Sequence, residues 1–136
     1  MKKFLVAAAL VLVLGLIIGQ ATQAEATDEV YVGTWEGGWK AYVIGDSIDW
    51  DVQRPNYVIF YCKIKGVSPQ GKVKYFDYVF TPINSSDNSK LIGASFRDST
   101  GATGEFYVDN PGVYEVEYNA YRGMVSMYRA TLKQAR

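Results

Sequence analysis

The side chains in this sequence with the reach for acid and base chemistry are two pairs of carboxylates, Asp49 with Asp51 and Glu115 with Glu117. On a β-strand, residues two apart point to one face. Either pair would then serve a carboxylate-based glycoside hydrolase as acid and nucleophile or base, provided the groups lie about 5 to 10 Å apart across a cleft. The same spacing also describes the solvated face of a half-buried strand, and the apolar residues alternating with both pairs favour that reading. Histidine is absent from the 136 residues, which removes the commonest general base, the commonest zinc ligand and every Ser-His-Asp or Cys-His arrangement. Asp87, Asn88 and Asp98 lie in oxygen-rich loops that lack the spacing of a calcium loop. Gly101-Ala102-Thr103-Gly104 lacks the lysine and helix of a phosphate loop. The expectation is a protein that is not an enzyme, with no catalytic residue, no metal and no cofactor.

What the sequence does offer is aromatic surface. Trp35, Trp39 and Trp50 are joined by eleven tyrosines and, Phe4 aside, five phenylalanines. Half-buried rings are what binding surfaces for sugars, lipids or partner proteins use, although tyrosine also favours strands for reasons of packing alone. Trp39, Trp50, Tyr42, Tyr61, Phe76, Tyr78 and Tyr118 are the candidate ligand contacts, and Tyr57, Tyr75, Tyr107 and Tyr121 extend the tyrosine face. The expected occupant is a small apolar or aromatic ligand, or a protein partner, on a monomer or weak dimer. A carbohydrate-binding module, with its rings in a flat row, is the alternative.

These residues need a compartment and a scaffold. Residues 1–24 read as a signal peptide: Lys2 and Lys3 precede the apolar run Phe4 to Ile18, and Thr22-Gln23-Ala24 supplies small residues at a cleavage site. The run is shorter than the roughly 20 residues that cross a bilayer. The chain is therefore expected to be cleaved, free of the membrane, and secreted or periplasmic. Residues 25–136 suffice for one domain. The sequence holds 14 basic and 14 acidic residues, so loss of Lys2 and Lys3 leaves a net charge of −2. Scattered charges of that sign give no reason to bind nucleic acid. Cys62 is the single cysteine and can form no internal disulfide.

From Val30 to Lys133 the hydrophobic pattern has period two, broken by turn residues every eight to twelve positions. Ile48, Trp50 and Val52 share one face, Val58, Phe60, Cys62 and Ile64 another, and Phe76, Tyr78 and Phe80 a third. Val113 to Tyr121 and Met124 to Lys133 read as the last two strands. The fold class expected is all-β, a single antiparallel up-and-down barrel of about eight strands closed to remove its edges; a two-layer sandwich is the alternative.

Val32-Gly33-Thr34-Trp35 resembles the Gly-x-Trp signature of the calycin group, which includes lipocalins, fatty-acid-binding proteins and avidins. The fuller run through Gly37-Gly38-Trp39 is similar to small exported bacterial proteins of lipocalin-like form. The resemblance implies a ligand-binding barrel in which Gly33 and Trp35 close one end against a basic residue near the last strand. Arg129 is the candidate for that role, with Arg122 second. Neither the lipocalin disulfide nor a biotin-type ligand set is present.

Overall fold

The computed structural model describes residues 29–134, so the expected signal peptide lies outside the described residues. Six strands form one antiparallel meander, hydrogen-bonded in chain order. They are β1 (Glu29–Trp35), β2 (Trp39–Arg54), β3 (Tyr57–Val67), β4 (Val73–Asn84), β5 (Leu91–Asp98) and β6 (Thr103–Tyr107). A helix, α1 (Glu115–Gln134), follows. The sheet curls into a half-barrel and α1 lies along its concave side.

Gly45 and Asp46 fall inside β2, which runs unbroken for 16 residues. Two expectations are corrected. The segment expected to supply the last two strands is the 20-residue helix. Buried residues recur there as Val116, Ala120, Tyr121, Met124 and Met127, one helical stripe turned to the sheet. Among the described residues, six strands and a helix leave β1 and β6 unpaired with each other, so the barrel is not closed and there is no eighth strand. The helix takes the place of the missing wall by covering the apolar face that closure would have buried.

Two irregularities set which side chains face the helix. Tyr31 pairs with Tyr42 and Gly33 with Ala41, so β1 carries one extra residue there. The insertion reverses the alternation, and Val30 and Trp35 both point inward. Gly33 has φ 139°, and a β-carbon on it would meet the Val116 side chain at 3.1 Å, so a glycine is needed for the helix to approach. In β2 the register jumps between Ile44 and Asp49. Ser47 donates to the Ile44 carbonyl (2.6 Å) and accepts from the Lys63 amide (2.8 Å), patching the ladder across the gap. Beyond it, Ile48 and Trp50 face the core.

The core is largely aromatic. Phe80 packs against Tyr78, Phe96, Phe106 and Tyr121, and Phe60 against Trp50, Tyr121 and Tyr128. Cys62 is buried in this layer, and burial, with the Asp77 carboxylate second, pushes its thiol well above its ordinary pKa.

Candidate functional site

Near its first turn α1 is locked to the sheet. Glu117 is 5 % exposed, and its carboxylate accepts hydrogen bonds from Tyr78 Oη at 2.7 Å and Trp35 Nε1 at 3.1 Å. A buried charge is costly unless it is hydrogen-bonded. Here two donors and the positive end of the helix dipole compensate it. Burial first, and the Glu117 charge second, raise the Tyr78 hydroxyl far above the usual tyrosine range. Asn119 donates to the Val32 carbonyl at 2.8 Å, satisfying the acceptor exposed at the β1 irregularity.

Taken as a whole, the α1 backbone approaches β1 and β2 most closely. The space left on the other side, toward β5, β6 and the turn after β2, is a cleft. One part, about 520 Å³, lies between Tyr118, Arg122 and Arg129 of the helix and Gly93, Phe106 and Val108. A second, about 390 Å³, runs on past Tyr128 and Leu132 to Pro55, Asn56, Phe60 and Lys90. Leu91, Tyr121, Val125 and Arg129 line both. On α1, the wall residues Tyr118, Tyr121, Arg122, Val125, Arg129 and Leu132 recur every three or four positions, a second stripe beside the core-facing one.

The expected ligand contacts fall into separate groups. Tyr118 lines the cleft, with its ring against Phe106, its hydroxyl donating to the Val108 carbonyl at 2.8 Å and the Arg122 guanidinium over its face. Trp50 reaches the cleft indirectly, with its ring 5.1 Å from that of Tyr128. Phe76 and Tyr78 belong to the locked end, where Phe76 packs edge-on against Trp35. Trp39 points inward opposite Trp35; both rings cover Gly66, and Lys74 lies 5.5 Å from the Trp39 ring. Tyr42 and Tyr61 are on the convex face. The expected packing of Trp35 on Arg129 does not form. Trp35 meets Glu117, and Arg129 is twelve residues further on, roughly 18 Å at 1.5 Å per residue.

The carboxylate pairs are also placed. Glu115 and Glu117 lie on a helix, where residues two apart face different ways; Glu117 is buried and Glu115 exposed. Asp49 and Asp51 pair with Tyr61 and Ile59 on the convex face, away from the cleft. Asp87 and Asp98 each spend one carboxylate oxygen on hydroxyls and amides of their own loops, and the Ser89 and Ser85 hydroxyls bring Asp87 down to about 2. Among the described residues no helix is long and apolar enough to cross a membrane.

Sequence reasoning missed Val125, Tyr128 and Lys90 as cleft residues. Residues 118–132 show the three-and-four spacing of the wall, but which strands it faces depends on the curl of the sheet. Compared with known proteins, the chain matches no family model, and no curated protein or solved structure matches it significantly.

Proposed function

We propose that this chain is an exported, non-catalytic binding protein, lipocalin-like in the manner of its use, that holds a small ligand with an apolar or aromatic body between α1 and the sheet. The observation that carries this reading is the cleft itself. Its two parts fall within the ~300 to 1,000 Å³ typical of small-molecule sites, and their lining sets the rings and side chains of Phe60, Leu91, Phe106, Tyr121, Val125 and Tyr128 beside the polar groups of Asn56, Lys90, Arg122, Ser126 and Arg129. Two experiments test it. Native mass spectrometry of protein from its own host should show a bound small molecule. Tryptophan fluorescence should respond to fatty acids or flavonoids through Trp50, and Val125→Trp, which fills the space shared by both parts, should abolish the response. An unchanged response in that variant, or none from the wild type with any compound, would count against the reading.

A second reading has its own observation. Tyr31, Tyr42, Lys65 and Tyr75 form a cross-strand row on the convex face, and Tyr31 and Tyr75 are 42 % and 56 % exposed. A row of that kind suits a carbohydrate-binding module. Retention on insoluble polysaccharide, lost in Tyr31→Ala with Tyr75→Ala, would favour it over the cleft.

A further inference from the structure

We infer that the ligand of this cleft is a carboxylate, its anionic head held by Arg129 and the Tyr121 hydroxyl, with Arg122 adding positive charge at the far end of the wall, and its apolar body laid toward Phe60 and Tyr128. The inference rests on the cleft being the binding site and adds the charge of what it binds.

The first ground is charge. Arg122, Arg129 and Lys90 line the cleft, and no Asp or Glu does. The whole sequence is electrically neutral, so three cations without a carboxylate form a local excess that the chain does not show as a whole. Among the described residues the ion pairs are Lys63 with Asp77 and Lys65 with Glu29. The three cleft cations are paired with none of the described carboxylates. Arg122 and Arg129 are seven residues apart, two helical turns or roughly 10 Å along α1. They therefore stand at the two ends of the Val125 segment of the wall.

The second ground is Tyr121. Its residue is 4 % exposed and its ring is wedged between Phe60, Phe80 and Phe106, yet no described residue hydrogen-bonds its hydroxyl. Tyr78 and Tyr118 both give their hydroxyl protons to partners. The Tyr121 hydroxyl is not enclosed by protein and opens onto the cleft. Tyr121 lines both parts of the cleft, and the Arg129 charge is near enough to favour its ionised form against the effect of burial. A ligand acceptor placed by Arg129 would satisfy this donor. Guanidinium groups present a planar fork suited to two-oxygen anions, while the rings beyond them suit a carbon skeleton and would leave a bare inorganic anion half its contacts.

The test uses two matched pairs of probes, 1-naphthoate with 1-naphthamide and decanoate with decanamide, titrated calorimetrically at low ionic strength. The carboxylate of at least one pair should bind wild-type protein tenfold or more tightly than its neutral amide. Arg122→Gln with Arg129→Gln should bring the two members to parity, and Tyr121→Phe should weaken the carboxylate several-fold more than the amide. Both arginines are exposed, and circular dichroism establishes that the variants fold. Equal binding of acid and amide by the wild type, or a preference surviving in the double variant, would overturn the inference. In that case loss of binding in Val125→Trp keeps the cleft as the site. If neither pair binds, or if Val125→Trp binds both pairs as the wild type does, the cleft reading falls as well.

Discussion

The two ends of α1 meet the same sheet in opposite ways. At the N-terminal end every polar group in the contact has a partner: Glu117 takes protons from Trp35 and Tyr78, and Asn119 gives one to Val32. Toward the C-terminal end the helix presents Arg122 and Arg129 to a cleft with no acidic wall, and Tyr121 keeps a hydroxyl without a described partner. One helix thus serves as a fastener at one end and as a wall at the other. The lesson is that buried polar groups paired within the protein mark where a fold is held, and donors left open onto a cavity mark where it has room for something else.

Removing the fastener gives the largest expected effect. Glu117→Ala strands the Trp35 and Tyr78 donors, and at about 1 to 3 kcal/mol for each unsatisfied buried group the loss should be roughly 4 kcal/mol. Urea unfolding measures it, and a loss below 1 kcal/mol would mean that the two ends do not differ as described. Alkali comes next, and it acts on both ends. A tyrosine whose folded pKa lies above the ordinary 10.0 stabilises the fold fully below pH 10, and that contribution disappears as pH rises through the folded value. For Tyr121, raised to about 12 chiefly by burial, the window is pH 10 to 12, worth on the order of 3 kcal/mol at about 1.4 kcal/mol per unit. Tyr78 is held higher still, so of these two Tyr121 should ionise first, and Tyr121→Phe should delete a step near pH 12 from the absorbance titration.

Gly33→Ala is a milder attack on the locked end. A side chain at φ 139° that also meets Val116 at 3.1 Å should cost about 2 kcal/mol through strain and displacement of the helix. The smallest effect sharpens the contrast from the other side. Arg122→Gln with Arg129→Gln removes no described ion pair and should change stability by less than about 0.5 kcal/mol, so a large loss in urea would show that the cleft wall is itself structural.

Much of the sheet could be read in the residues. Val58, Phe60, Cys62 and Ile64 recur at every second position, as do Phe76, Tyr78 and Phe80, and both sets face the concave side. The helix could not be read the same way. Tyr114, Val116, Tyr118 and Ala120 alternate as well as any strand, the residues are tyrosines and valines with a liking for sheets, and Gly123 suggests a turn. Against that local signal stood Val116, Ala120, Tyr121, Met124 and Met127 at helical spacing, with acids in the first turn and Lys133 in the last. Packing on a curved aromatic floor decided in favour of the helix. The cleft was hidden for a related reason. Tyr118 and Arg129 stood out in the sequence, but their neighbours Phe60, Leu91 and Phe106 come from strands far along the chain, brought together by curvature that no local pattern encodes.

The position of α1 along the chain also fixes an order of events. The floor made by Phe60, Phe80, Phe96 and Phe106 is complete once Tyr107 has been synthesised, but it stays uncovered until Val116 through Met127 follow. A nascent chain therefore carries its stickiest surface in the open for its last stage of growth. Whatever shields that surface in the interval, a chaperone or delay in pairing the strands, is as much a requirement of this architecture as any contact in the finished protein.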